Sequence, residues 1–200
     1  MPELLALVIA YLLGAIPVGY LLVRLTTGRD VRASGSKNIG ATNVLRTTSP
    51  ALGVLTLILD IGKGFLAVWI AAKLTADSPM WTSAAALAVI AGHAYPVFLL
   101  FKGGKAVASF IGAFLYVAPV PLLASLVVFV AVAAKTRYIS AGSIMAAATF
   151  PFAVWLISHP PHEVVVHSLI AGAFIVYRHR ANIGRIRAGT EYVFRWMSQT

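Results

Sequence analysis

Seven apolar runs, separated by short polar segments, set the pattern of this 200-residue chain. They lie at Leu4–Leu25, Ala51–Thr75, Trp81–Phe101, Ala106–Val120, Pro121–Ala134, Tyr138–Ile157 and Val164–Tyr177. Four are long enough for a helix to cross a hydrocarbon core of about 30 Å. The other three hold 14 or 15 residues, a helix of only about 21 Å. Flanking residues can extend the short runs, or some can be re-entrant. The N-terminal Met1-Pro2-Glu3 lacks the positive region of a signal peptide, so the first run reads as a retained helix.

The cations fix the parity of the runs. Arg24, Arg29, Arg32, Lys37 and Arg46 surround the first loop; Lys102 and Lys105 follow the third run, Lys135 and Arg137 the fifth; Arg178, Arg180, Arg185, Arg187 and Arg195 form the tail. Seven spans put these 14 of the 16 Lys and Arg on one face, which the positive-inside rule makes cytoplasmic. Glu3, Asp77 and Glu163 fall on the other face, with Lys73 nearby. An alternative that fuses Ala106–Ala134 into one span through Pro119 and Pro121 throws the basic tail outside, so it is rejected on both grounds.

Composition agrees. Hydrophobic residues make up 60% of the chain and charged residues 11%, where a soluble domain carries about 25% charged. The expected fold is one all-α integral membrane domain over residues 1–200: a bundle of seven transmembrane helices, some short, with the N-terminus outside and the C-terminus cytoplasmic. The absence of cysteine excludes disulfides and thiol chemistry. Six scattered acidic residues offer no carboxylate-rich metal site, and no cofactor is expected. The net charge of +10 lies beside the spans, so it reads as topology and attraction to anionic lipid, with no nucleic-acid partner.

Four polar clusters on the cytoplasmic side carry the candidate chemistry. The first, Gly35-Ser36-Lys37-Asn38-Ile39-Gly40-Ala41-Thr42-Asn43-Val44-Leu45-Arg46, combines glycines, hydroxyls, carboxamides and cations. It suits an anion nest with Arg46 as a planar phosphate fork; a polar turn with helix caps is the alternative. The second runs from Gly92-His93 to Gly103-Gly104-Lys105, which opens the next apolar run. It reads as a phosphate site at a helix start or as a Gly-rich turn with a topogenic lysine. In the third, Arg137-Tyr138-Ile139-Ser140-Ala141-Gly142-Ser143, the serines are caps or, at Ser143, a ligand contact. The fourth is Arg178-His179-Arg180-Ala181-Asn182-Ile183-Gly184-Arg185-Ile186-Arg187-Ala188-Gly189-Thr190-Glu191. If helical, it sets Arg178, Asn182 and Arg185 on one face. Its His, Asn and Glu are more than a stop-transfer signal needs. Within a span, Asp60 and Lys63 stand one turn apart, before Gly64. They are either functional or a self-neutralising pair that fixes packing.

These motifs, GSKNIGATNVLR, Asp60-x-x-Lys63-Gly64, GHAYPVFLLFKGGK, RYISAGS and RHRANIGRIRAGTE, occur in the order and spacing of the bacterial acylphosphate:glycerol-3-phosphate acyltransferases, the PlsY family. The resemblance covers nearly the whole chain. It implies a multi-pass enzyme of the bacterial cytoplasmic (inner) membrane, active site facing the cytoplasm. Such an enzyme moves an acyl group from acyl phosphate to sn-glycerol 3-phosphate, giving lysophosphatidic acid and phosphate for phospholipid synthesis. Its partners are these substrates and membrane lipid, with no obligate protein partner. One departure is visible: the family usually reads GGKG, and Ala106 replaces the last glycine, so substrate affinity is expected to be lower and activity retained.

The sequence agrees on separate grounds. None of His93, His159, His162, His167 or His179 is followed by Asp after a four-residue gap, the pattern of soluble-type glycerolipid acyltransferases. Two unit charges about 5 Å apart repel by about 3 kcal/mol at an effective dielectric near 20, so two phosphates demand a cationic, donor-rich site. Ser36, Arg46, Lys105, His179 and Asn182 are the expected catalytic groups. Asn38, Thr42, Asn43, Lys63, Gly103, Gly104, Ser143, Arg178 and Glu191 are expected to bind substrate. His93, His179 or a substrate phosphate can accept the proton. A transporter of organic phosphate is the competing class; the gathering of polar motifs on one side and the lack of an internal repeat count against it.

Overall fold

The computed structural model describes residues 1–194; Arg195, counted in the basic tail, lies outside the described residues. The described chain is all-α. Ten helices follow in order: α1 Pro2–Ala15, α2 Val18–Thr27, α3 Ala41–Thr47, α4 Pro50–Leu74, α5 Pro79–Ala94, α6 Val107–Val117, α7 Pro119–Thr136, α8 Ile139–Ala153, α9 His162–Arg178 and α10 Arg180–Arg187. The chain divides into two compact units, Met1–Val117 and the part beginning at Ala118.

In the first unit α1 packs on α4 and α5, and α4 packs also on α3, α5 and α6. Small residues make the contacts. Ala6, Ala10, Ala67, Ala71, Ala85 and Ala86 are buried, while Leu4, Leu5, Ile58, Leu66 and Trp69 point outward. This is the pattern of helices surrounded by lipid, where large apolar side chains gain nothing by turning inward and close backbone approach supplies the packing. Glycines set the closest approaches. A Cβ at Gly92 would collide with the Tyr11 carbonyl, and one at Gly14 with the Val89 carbonyl, so α1 and α5 meet backbone to backbone. Gly64 and Gly112 do the same for α4 and α6, against the carbonyls of Ser109 and Ile61.

The first apolar run is not one continuous helix. It breaks at Ile16–Pro17, because proline lacks the amide and clashes with the preceding turn. The third run leaves the helix after Ala94; Pro96 is followed by a 3-10 turn at Val97–Leu99. The fourth and fifth runs are separate helices, as expected, but they part at Ala118. That residue precedes Pro119 and is held out of the helical region at φ −150° and ψ 68°.

In the second unit α8 packs on α7 and α9. Pro151 lies inside α8, which widens into a π-helical turn at Val154–Ser158 before His159 ends it in the left-handed region.

Among the described residues, five segments are long and apolar enough to cross a membrane: Pro2–Thr27, Pro50–Leu74, Pro79–Leu99, Pro119–Thr136 and Ile139–Ser158. The other two runs form α6, about 16 Å long, and α9, about 25 Å.

Because α1 and α5 touch through their backbones, Gly92→Leu should lower stability by about 1–3 kcal/mol through overpacking. Thermal unfolding of the detergent-solubilised protein measures this; an unshifted transition would show that the two helices do not meet at Gly92.

Candidate functional site

The first motif is half loop and half helix, not the loop throughout that its polarity suggested. Gly40 caps α3 with extended backbone, and Thr42, Asn43 and Arg46 lie on α3. Asn43 organises the whole motif from a buried position. Its Nδ2 donates to the carbonyls of Val31 (3.1 Å), Ser34 (3.2 Å) and Asn38 (2.8 Å), and its Oδ1 accepts from the Ser36 amide at 2.9 Å. Asn38 Oδ1 accepts from the Gly40 amide at 2.9 Å. Asn43 therefore shapes the loop that presents Ser36 and Lys37, while Thr42 and Arg46 are exposed on α3.

The second motif comes to the same place. A Cβ built on Gly104 would stand 3.4 Å from Asn38 Oδ1 and would collide with the His93 ring. Gly103 is pressed in the same way against the His93 carbonyl and the Pro96 ring. The two loops line one cleft of about 480 Å³, formed by Asp30, Arg32, Ala33, Lys37, Lys102 and Gly103. Arg32 and Asp30 are paired at 2.7 Å, and this contact holds the Asp30 carboxyl below its usual range. Lys37 and Lys102 give the cleft its net positive character. Lys105 is half-buried just before α6. Ala106 has φ +61°, a left-handed conformation that costs an alanine about 1–2 kcal/mol and a glycine almost nothing. The glycine usual at this position thus answers a backbone requirement.

Asp60 and Lys63 lie in the core of this unit. Lys63 Nζ stands 2.9 Å from Asp60 Oδ1 and donates to the Ile16 carbonyl at 2.7 Å. The expected substrate lysine thus has its ammonium engaged at the break between α1 and α2. His93 joins the pair: its Nδ1 lies 3.5 Å from Asp60 Oδ1 and 3.1 Å from Ser109 Oγ. All four side chains are at least nine-tenths buried. Removing one partner of a buried ion pair leaves a bare charge and costs about 3–5 kcal/mol. Ser109 was not legible as a site residue, since a lone serine in an apolar run usually bonds its own helix.

In the second unit Glu191 gathers the fourth motif. Its Oε1 accepts from Asn182 Nδ2 at 2.7 Å and Ser140 Oγ at 2.9 Å, and its Oε2 accepts from Arg185 Nε at 2.8 Å. Burial raises the Glu191 pKa, but these bonds outweigh it and hold the carboxyl below its usual range. Among the described residues, Asn182 Oδ1 is buried without a hydrogen-bond donor. His179 Nδ1 lies 2.8 Å from the Ile175 carbonyl. A carbonyl only accepts, so the neutral ring carries its proton on Nδ1 and its lone pair on Nε2. Ser143 donates to the Ile139 carbonyl at 2.9 Å and is buried. The helical register expected for the fourth motif is broken: Arg178 ends α9, His179 separates it from α10, and Asn182 and Arg185 lie on α10. Ser140, the partner of Glu191, was missed in favour of its neighbour Ser143.

Apolar helices carrying buried carboxamide, imidazole and cationic groups define a membrane protein that handles polar anions beside lipid. The comparisons name the family. The family model described as glycerol-3-phosphate acyltransferase matches residues 4–189. Relatives called glycerol-3-phosphate acyltransferase include one from Geotalea daltonii, 47% identical over 96% of this chain and 98% of its own. Another, from Geobacter sulfurreducens, is 46% identical with the same coverage. A crystal structure of PlsY (YgiH), described as an integral membrane glycerol 3-phosphate acyltransferase in its glycerol 3-phosphate form, is similar with a TM-score of 0.91. It is 39% identical and covers 98% of this chain and 96% of its own. The same protein in its lysophosphatidic acid form gives a TM-score of 0.89 at 37% identity, again over 98% and 96%. This chain belongs to the glycerol-3-phosphate acyltransferase family, as its motifs suggested.

Two outcomes follow from the geometry. Ala106→Gly should relieve the left-handed strain and raise stability by about 1 kcal/mol or less, the entropy of glycine offsetting part of the gain; a lower unfolding midpoint would contradict this. Glu191 has a depressed folded pKa, so its contribution is fully present above its ordinary value of 4.5 and is lost as pH falls through the folded value. Glu191→Gln should therefore flatten the loss of stability between neutral and acid pH, measured as unfolding midpoint against pH.

Proposed function

We propose that the chain transfers an acyl group from acyl phosphate to the primary hydroxyl of sn-glycerol 3-phosphate, releasing lysophosphatidic acid and inorganic phosphate. Family membership over residues 4–189 is the observation that carries this reading. The cationic cleft lined by the first two motifs supports it. Its cations suit a phosphate, whose repulsion from a second phosphate has to be offset before the two substrates can meet. Arg46 and Lys105 supply charge to the developing phosphate leaving group, and Ser36, Asn38, Thr42, Gly103 and Gly104 supply hydroxyl, amide and backbone contacts. Asn43 acts through the shape of the first loop.

Asn182 Oδ1, buried without a donor among the described residues, suits a substrate hydroxyl, and Glu191 orients that amide by accepting from its Nδ2. In the same unit Arg178 adds a donor, while His179 Nε2 and the Ser143 hydroxyl oxygen act as acceptors. A substrate phosphate takes the proton of the attacking hydroxyl, which suits a protein with no acid–base dyad among these residues. The acyl chain lies among the apolar helices, open to lipid.

The membrane arrangement in this reading is seven spans, with α6 and α9 as short spans, the N-terminus outside and the C-terminus in the cytoplasm. The bias of cations to one set of loops supports it. The location is the bacterial inner membrane, with no obligate protein partner.

Purified protein supplied with acyl phosphate and glycerol 3-phosphate should form lysophosphatidic acid; no product under any lipid condition would sink the reading. Arg46→Ala, Lys105→Ala and Asn182→Ala should each lower kcat/KM by about 100-fold. A drop in kcat beyond about 10³-fold in His179→Ala, with substrate binding intact, would point instead to a histidine base.

A further inference from the structure

We infer that His93 is a positioning residue for the Gly103–Gly104 loop: Asp60 and Ser109 hold its ring so that the loop backbone can wrap it. This rests on the proposed activity, since the loop's function is substrate binding. Four observations lead to it. The His93 carbonyl accepts from the Gly104 amide at 3.1 Å. Side chains at Gly103 or Gly104 would strike the carbonyl and ring of the same histidine. The ring is fixed from behind, on Nδ1, by Asp60 at 3.5 Å and Ser109 at 3.1 Å. Asp60 is itself held by Lys63, which is anchored on the Ile16 carbonyl.

The chemistry of these groups assigns the roles. A carboxylate only accepts, so its place beside Nδ1 favours a ring proton on that nitrogen. The imidazole plane is then set by groups from two other helices, α4 and α6. Its opposite edge, carrying Nε2 and Cδ2, is the surface on which Gly104 rests. A rotated or missing ring removes that surface, and the loop that carries Lys105 into α6 loses its register. His93 therefore touches the loop and not the reacting atoms. Lys63 serves the same network: its charge is balanced by Asp60, and its contribution to substrate binding runs through the loop.

The test uses the full-length protein in detergent with acyl phosphate and glycerol 3-phosphate, and compares wild type, His93→Ala and His93→Asn. An asparagine amide occupies the place of Nδ1 but offers nothing at Nε2. KM and kcat are measured, with amide hydrogen exchange on peptides covering Lys102–Ala106 in the same preparations. The expected result for His93→Ala is a 10–100-fold higher KM for glycerol 3-phosphate, on the order expected for a misplaced loop. Its kcat should stay within about threefold of wild type, since no transition-state contact is removed. Exchange in the loop should be faster, and His93→Asn, which leaves the Nε2 edge empty, should recover neither loss. Should His93→Ala fail to fold, the double variant Asp60→Asn/Lys63→Met, which leaves no bare charge, should show the same KM and exchange changes. Unchanged KM and exchange would overturn the inference. So would a collapse of kcat at constant KM, or an asparagine variant that recovers both losses. A wild-type protein that makes no lysophosphatidic acid would refute the activity, while loop exchange in the variants would still decide the positioning role.

Discussion

The contact between Lys63 and the Ile16 carbonyl is the point on which the first unit depends. Pro17 interrupts the first apolar helix, so the Ile16 carbonyl no longer meets the amide one turn ahead and accepts from the Val18 amide at 3.0 Å in its place. In apolar surroundings an incompletely satisfied backbone group is costly. An ammonium occupies the carbonyl's second lone pair but brings a charge, and that charge requires Asp60. Asp60 has capacity for a further donor, and His93 stands beside it. The proline between α1 and α2 is thereby linked through three side chains to the glycine loop at the start of α6. Each step solves a polar problem created by the one before.

Close helix packing makes the linkage possible. Gly64 lets the backbone of α6 come against α4, one residue after Lys63, and this brings Ser109 to the same polar cluster. Gly92 sits beside His93 and performs the same service between α5 and α1. The glycines of the spans and the polar residues next to them are one design: backbone contact places polar side chains where single hydrogen bonds can reach across helices.

The seven apolar runs were legible as separate helical segments because lipid tolerates no long stretch of unpaired backbone. Their ends were less legible. Pro17, Pro96 and Pro119 all move boundaries, and hydropathy sees proline only weakly. At the candidate sites, residue types picked out the polar motifs, but periodicity could not separate residues facing outward from those facing the protein. Asn43 and Lys63 illustrate this: both are polar groups in conspicuous motifs, and both are engaged by internal partners. Glu191 is another, since its two oxygens receive three donors. Ala106 shows the converse. Its replacement of glycine was visible in the sequence, but the positive φ that gives the change its meaning was not.

The internal engagement of these groups narrows the electrostatics. Lys63 is neutralised within the first unit by Asp60, and Arg32 by Asp30. Neither pair adds a net charge to the cleft. The positive field of the cleft comes from cations without a carboxylate at salt-bridge distance among the described residues, Lys37 and Lys102 on its walls. A compact, strongly hydrated ammonium is a point charge that can follow a phosphate as it moves, whereas a guanidinium fork fixes its geometry. Lysines at the rim thus suit capture of an anion from water, and Arg46 suits holding one in a fixed orientation. Placing the buried charges in pairs and the mobile ones at the rim lets one small unit hold its own broken helix together without adding fixed charge against the substrates.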